Sequence, residues 1–246
     1  FEGKKAVGLE YMHKGKKRKI TAHKEVILSA GSLMSPAILQ RSGVGASEDT
    51  KPHGIDLIHE LPGVGKNLQD HIDFNFCFKT NDKNTLGFSP GGFLKILGEA
   101  AKWLIHGNSM ISSTLSEAGG FLKTEQSLKR PDIQHHFVIG LIDDHLRKLH
   151  YGYGYSCHVC LLRPYSRGTV SLASAKHDDA PLINPNFLDD TRDVDTLIKG
   201  AKMTQNILNT PPLKKYQRSE IYGVHGDQTD KQWEKHIRNR ADTIYH

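Results

Sequence analysis

The chain has 246 residues, of which 37% are hydrophobic and 24% are charged, and its formal net charge is +6 at pH 7. These values exclude wholesale disorder and a fibrous repeat. No apolar stretch approaches the ~20 residues that cross a bilayer, which excludes a membrane span. At ~150 residues per domain, the length predicts one large domain or two unequal ones.

A β-hairpin is predicted near the start of the chain. Residues 5–11 and 17–29 are rich in strand-forming residues, and the second run ends in Val-Ile-Leu, which predicts a buried strand. The basic run at residues 14–19 lies at the turn. It has no interleaved aromatic residues to stack on bases, and a lysine-rich hairpin tip is typical of a solvated edge. We therefore expect no nucleic-acid partner.

A tight turn followed by a helix is the first candidate binding feature. Residues 29–32 are small, and residues 35–40 predict a helix with Ser35 as its N-cap, Pro36 at its first position and Gly43 at its end. This arrangement directs free backbone N–H groups and the positive end of a helix dipole toward one point. Such a point is suited to an anionic ligand.

The remaining segments predict an α+β fold, with an antiparallel sheet flanked by helices. Strands are predicted at residues 72–78, 133–139 and 156–163, and helices at residues 93–105, 191–208 and 230–237. Apolar residues occupy every second position of the first strand, which predicts one buried face. The later strands follow one another without helices between them, as in antiparallel sheets. Gly107 is predicted to end the first of these helices, and Asp190 or Thr191 and then Thr229 to cap the next two.

The clusters of cysteine and histidine residues are the candidates for metal ligands. Cys157 and Cys160 have the spacing of half a zinc site. Residues three apart on a strand point to opposite faces, so we expect no metal there. The clusters at residues 135–136 and 143–145 lack a second element with ligand spacing and are predicted to be surface or loop residues.

The segment at residues 31–45, Gly-Ser-Leu-Met-Ser-Pro-Ala-Ile-Leu-Gln-Arg-Ser-Gly-Val-Gly, resembles the second signature of the glucose-methanol-choline (GMC) oxidoreductases. Residues 61–71, 163–170, 193–201 and 243–246 resemble further segments of that family, in the same order. The sequences of these segments are most similar to those of the animal glucose-dehydrogenase-like branch. The resemblance covers essentially the whole chain.

The sequence also departs from the family pattern. It contains no Gly-x-Gly-x-x-Gly turn, which holds the pyrophosphate of flavin adenine dinucleotide (FAD) in such proteins. The family continues beyond a segment like residues 243–246 with a closing strand and a second catalytic residue. The resemblance therefore implies an internal fragment: a partial FAD-binding domain at residues 1–70, a substrate-binding domain at 71–237 and a return to the FAD-binding domain at 238–246. We expect weak or no FAD binding by these residues alone.

The resemblance implies FAD-dependent oxidation of an alcohol or sugar hydroxyl, by hydride transfer to the flavin, with oxygen or a quinone as electron acceptor. His246 matches the catalytic histidine. The implied cofactor-binding residues are Ala30, Gly31, Ser32, Ser35 and Asn67. Glu117 and His71 are candidates for the substrate pocket, although a surface or capping role is commoner for such a glutamate and His71 is equally suited to pinning a turn.

Two function classes remain open at this point. The first is the incomplete flavoenzyme, and the second is a non-catalytic binding or interaction module derived from the substrate domain. The resemblance leaves the location of the protein unknown, with secretion as one possibility.

Overall fold

The computed structural model describes residues 1–224, 226 and 228–245. It is a mixed fold, with 30% helix and 28% strand, which confirms the predicted α+β class. The helices are α1 (Gly31–Arg41), α2 (Ser47–Thr50), α3 (Pro90–His106), α4 (Thr191–Leu208), α5 (Pro211–Lys214) and α6 (Asp230–Arg240). The strands are β1 (Gly8–His13), β2 (Lys16–Thr21), β3 (Val44–Gly45), β4 (His59–Glu60), β5 (Ile72–Thr80), β6 (Gly87–Phe88), β7 (Ser116–Leu122), β8 (Ile133–Val138), β9 (Gly152–Leu161), β10 (Thr169–Ser171), β11 (Leu182–Asn184), β12 (Ser219–Glu220) and β13 (Asp242–Thr243).

The chain divides into two compact units. The first comprises Phe1–Gln69 and Ser166–Phe187, and the second comprises Asp70–Tyr165 and Leu188–His246. The structure therefore groups residues 166–187 with the first unit, whereas the sequence predicts them to lie within the segment 71–237. The assignment of the cofactor to one unit and of the substrate to the other stays a prediction.

The hairpin of the first unit is shorter than the sequence predicts. β1 and β2 pair antiparallel, but β2 ends at Thr21 and is exposed along its length. The expected buried strand toward residue 29 is wrong, because residues 25–29 form no regular structure and Ile27 is 77% exposed. A strand needs a neighbouring strand to satisfy its backbone hydrogen-bonding groups, and within the described residues no strand pairs with this segment.

Helix α1 begins five residues earlier than predicted. It starts at Gly31, so Pro36 lies inside the helix, where it removes the bond to the Ser32 carbonyl. Ser35 is not the N-cap; its hydroxyl accepts a hydrogen bond from the Ala30 N–H at 3.0 Å. The predicted end is correct, since α1 finishes at Arg41 and Gly43 follows with φ of 78°.

The second unit is built on a seven-stranded sheet. Five strands follow the order β12-β5-β9-β8-β7, β13 also pairs with β5, and β6 also pairs with β9. All of these pairings are antiparallel, which confirms the predicted sheet. Strand β7 was not predicted, because Ala118, Gly119 and Gly120 have low strand propensity.

Strand β5 is buried on both faces rather than on one. Phe74 and Phe76 pack against Trp233 of α6, with ring centroids 6.3 and 5.9 Å from the indole. On the opposite face, Asn75 is also buried, and its side-chain amide donates to the Ile142 carbonyl at 3.1 Å. The loop after β8 thus covers polar residues that the alternating pattern assigned to solvent.

The predicted helix caps of the second unit are confirmed. The Asp190 side chain accepts the Arg192 N–H at the start of α4, and Thr229 caps α6. Gly107, with φ of 72°, ends α3. Within the described residues, no helix is both long and apolar enough to cross a membrane.

Candidate functional site

The N-terminus of α1 gathers four of the predicted cofactor residues in the first unit. Ala30, Gly31, Ser32 and Ser35 lie within five positions of one another around the first turn, and Ala30 to Ser32 are exposed. The helix has no side-chain cap on its amide groups and no acidic residue in its first turn. A Cβ at Gly31 would meet nothing within 4 Å, and its φ of 81° favours glycine. The turn therefore leaves room and amide donors for an anionic group.

Asn67 lies in a separate, firmly held loop of the same unit. Its φ is 59°, and the neighbouring Leu68 exchanges two backbone hydrogen bonds with Gly168, at 3.0 and 2.9 Å. The loop is attached to the opposite end of α1, where the Gln40 amide donates to the Val64 carbonyl at 3.4 Å. At 1.5 Å per residue, this end is ~14 Å from Gly31 along the helix axis. Asn67 is thus not part of the cluster at the helix N-terminus, and an extended ligand would be needed to contact both.

His71 is held by backbone contacts in the second unit. Its Nε2 donates to the Leu162 carbonyl at 3.0 Å, and its own carbonyl accepts the Ile244 N–H at 3.2 Å. The preceding Asp70 accepts a hydrogen bond from the Thr243 hydroxyl. These contacts favour the pinning role that the sequence analysis considered for His71.

The same contacts fix the approach to the C-terminus. β13 pairs with β5, placing Asp242 opposite Asp73 and Thr243 opposite Ile72. The structure therefore brings residues 243–244 next to His71. The predicted catalytic residue, His246, lies outside the described residues.

Glu117 occupies an irregular position on β7. The register between β7 and β8 shifts between Ser116 and Ala118, so Glu117 is the extra residue of a β-bulge. Bulges redirect side chains and are frequent near active sites. Glu117 is exposed and accepts a hydrogen bond from the Ser113 hydroxyl.

An open cavity of about 300 Å³ lies along this edge of the sheet. It is lined by Ser116, Glu117, Ala118, Gly119, Gly120, Phe121, Gln134, His135 and His136. Two strands, β9 and β8, lie between the two substrate-pocket candidates, because β5 and β7 stand three positions apart in the sheet. At ~4.8 Å per strand this amounts to ~14 Å, so Glu117 and His71 do not form one cluster.

The two histidines of β8 differ in environment. His135 Nε2 lies 2.8 Å from the Thr204 hydroxyl oxygen, and that hydroxyl donates to the Gly200 carbonyl. Nε2 is therefore the donor. Burial, and secondarily the neighbouring His136, lower the pKa of His135, which keeps the ring neutral. Successive strand residues alternate between faces, so His136 belongs to the face opposite α4. Both were predicted to be surface or loop residues, which is wrong for His135, because it is a buried residue of β8.

Asp143, in a loop as predicted, is buried at the centre of a hydrogen-bonded cluster that the sequence does not predict. Asp143 accepts hydrogen bonds from His150 Nε2 at 2.5 Å and from the Tyr222 hydroxyl. Burial, together with Asp143, raises the pKa of Tyr222 and keeps the phenol protonated. The three residues are separated by up to 79 positions, and no local spacing signals their contact. Among the described residues no group of three metal-ligating side chains is present.

Two domain patterns described as GMC oxidoreductase match the chain, the N-terminal pattern over residues 1–73 and the C-terminal one over residues 164–246. The chain is 40% identical to "Alcohol dehydrogenase [acceptor]" of Pseudomonas putida, covering 100% of this chain and 45% of the relative. It is 34% identical to "Oxygen-dependent choline dehydrogenase 1" of Chromohalobacter salexigens, and the match covers 100% of this chain and 44% of the relative. The chain thus spans less than half the length of these relatives.

Solved structures share the fold. A variant of formate oxidase from Aspergillus oryzae matches with a TM-score of 0.88 and 24% identity, over 99% of this chain and 47% of the other. Pyridoxine 4-oxidase from Mesorbium loti matches with a TM-score of 0.81 and 20% identity, over 100% of this chain and 44% of the other.

These relatives correct one expectation and establish the family. The sequence relatives named above are bacterial alcohol and choline dehydrogenases, so the animal glucose-dehydrogenase-like branch finds no support. The two domain patterns together cover more than half of the chain. The chain belongs to the GMC oxidoreductase family, for which the predicted cofactor, FAD, is confirmed.

Proposed function

We propose that this chain forms part of an FAD-dependent oxidoreductase that oxidises an alcohol or sugar hydroxyl. The observation that carries the proposal is the uncapped, exposed N-terminus of α1, which coincides with the signature segment at residues 31–45. The amides of Gly31 and Ser32 would hold an anionic part of FAD there. Asn67, on its fixed loop, would contact a different part of the same extended cofactor.

When bound, the flavin supplies the hydride-accepting chemistry for alcohol oxidation. His246 would accept the proton of the substrate hydroxyl, because a neutral imidazole is a suitable base near pH 7. The pairing of β13 with β5 supports this role, since it fixes the segment that leads to His246. His71 would act as a positioning residue, because its carbonyl accepts from Ile244.

Glu117 is the proposed polar contact for substrate in the second unit. Its place in a bulge beside an open cavity supports this role. An alcohol is the favoured substrate class, in line with the names of the sequence relatives, and a sugar hydroxyl presents the same reacting group. Oxygen or a quinone would be the electron acceptor.

The role of α1 can be tested by flavin content after gel filtration. In a protein that carries these residues together with a glycine-rich dinucleotide-binding turn, Ser32→Asp should lower FAD affinity by about tenfold, because a carboxylate at the helix N-terminus repels the cofactor anion. Ser32→Asn is the matched control and should retain flavin. Equal flavin content in both variants would show that the start of α1 does not bind the cofactor. A second measurement uses the 246-residue chain alone, and full flavin content there would contradict the weak binding expected of it.

A further inference from the structure

Helix α3 of the second unit presents apolar side chains to solvent. Its exposed stripe, here called the α3 stripe, consists of Phe93, Leu94, Leu97, Ala101, Leu104 and Ile105. At 100° per residue these six positions fall within a sector of ~120°. Leu104 and Ile105 are 77% and 75% exposed. Exposure of this extent, continuous over four turns, marks an interaction surface.

The polar side of α3 faces the protein. Lys95 Nζ donates to the Lys83 carbonyl at 2.7 Å, and Glu99 accepts the Met110 N–H at 2.8 Å. Gly92, at the helix start, is buried against the Gly87 carbonyl, where a Cβ would not fit. A surface helix of a globular protein normally has the opposite orientation, with its apolar stripe toward the core. The reversed orientation indicates that the stripe has an apolar environment of its own.

Aromatic side chains extend this surface at both ends of the helix. Phe88 and Tyr151, joined by a β-bridge just before α3, are both more than 60% exposed, and Trp103 is half-exposed near the C-terminal end. Aromatic rings of this kind are favoured at membrane–water interfaces, where one side is apolar and the other is wet.

We propose that the α3 stripe docks on the surface of a lipid bilayer that contains anionic lipid, with the helix lying in the boundary between headgroups and acyl chains. The charges support this partner. Lys102 is exposed at the border of the stripe and Lys83 is exposed beside the helix, whereas Glu99, the acidic residue of α3, is committed to Met110. Lysine stems can lie along an apolar surface while their ammonium groups reach lipid phosphates.

The size of the stripe argues against a second copy of the chain as its partner. A stable protein interface takes ~20–30 residues per side, whereas the stripe offers six residues, and nine with Phe88, Tyr151 and Trp103. A bilayer imposes no such requirement, because binding grows with the apolar area inserted. This inference does not depend on the proposed oxidoreductase function.

The test is sedimentation of the 246-residue chain with vesicles of equimolar phosphatidylcholine and phosphatidylglycerol. The chain should bind, and Leu104→Glu with Ile105→Glu should lower its vesicle affinity by about tenfold or more, since charged side chains do not enter the boundary. Leu182→Glu with Ile183→Glu makes the same charge change at another exposed apolar pair, on β11, and should leave binding unchanged. Circular dichroism checks that both variants fold.

Tryptophan emission gives a second measurement. Vesicles should shift the emission of the chain to shorter wavelength through Trp103, because Trp233 is already buried, and Trp103→Phe should abolish the shift. The proposal is overturned if no binding occurs, or if Lys16→Glu with Lys17→Glu on β2 abolishes binding while the α3 variant does not. A chain that elutes as a dimer, and becomes monomeric in the α3 variant without binding vesicles, would assign the stripe to a second copy instead.

Discussion

Two adjacent glycines of β7 have different steric surroundings, and they test the packing around the candidate substrate cavity. A Cβ at Gly119 would lie 2.5 Å from the His135 carbonyl oxygen, whereas a Cβ at Gly120 would meet nothing within 4 Å. Gly119→Ala should therefore lower the free energy of unfolding by ~1–3 kcal/mol, the usual cost of overpacking. Gly120→Ala is the matched control and should be neutral or stabilising by up to about 1 kcal/mol. Urea unfolding measures both, and equal effects would contradict the close approach of β7 to β8.

The three buried thiols predict a loss of stability at alkaline pH. Burial raises the pKa of Cys77, Cys157 and Cys160 from about 9 to about 12. Because these pKa values are raised by folding, the stability they contribute is complete below pH 9 and is lost as the pH rises from 9 toward 12. Cys157→Ala should reduce the slope of unfolding free energy against pH over this range. Val159→Ala, a buried change on the same strand without a titrating group, should retain the slope; an unchanged slope in the cysteine variant would refute the assignment.

At the scale of single elements, the capping of α6 predicts a stability effect. The Thr229 hydroxyl accepts the Gln232 N–H at 3.4 Å, and Gln232 Oε1 accepts the Thr229 N–H at 2.8 Å. These two reciprocal hydrogen bonds form a capping box. Thr229→Ala removes it and should lower the free energy of unfolding by ~1 kcal/mol. Thermal unfolding should show the loss in Thr229→Ala and little change in Thr229→Ser. Equal melting temperatures for all three proteins would mean that the cap contributes nothing.

The elements also show what could be predicted from the sequence. The C-terminal end of α3 and the starts of α4 and α6 were predictable because capping is local chemistry. The start of α1 was not predictable. The Ser35 hydroxyl can accept the Ala30 N–H when Ser35 lies inside the helix, so a serine at this position does not mark the cap. The two-sided burial of β5 depends on a loop almost 70 residues later in the chain, which no alternating pattern contains.

At the scale of the whole molecule, the candidate residues form separate groups, with the α1 cluster and Asn67 in the first unit and His71 and Glu117 in the second. The exposed turn at the start of α1 could be predicted from turn and helix chemistry, although the helix begins earlier than predicted, and its role in cofactor binding stays a prediction. The role of His246 came only from resemblance, since a terminal histidine has no distinguishing spacing. The bulge at Glu117 and the contact between Asp143 and Tyr222 are set by strand register and tertiary packing, which local sequence does not encode.

The most direct test of the account is anaerobic reduction of bound flavin by alcohol, in a protein that contains these 246 residues and retains FAD. If His246 is the base, His246→Ala should slow reduction by ~10²-fold or more, the usual scale for loss of a general base. His177→Ala, at an exposed histidine of the first unit, should reduce its flavin at the parent rate. Reduction at the parent rate in the His246 variant would contradict the proposed function of this chain.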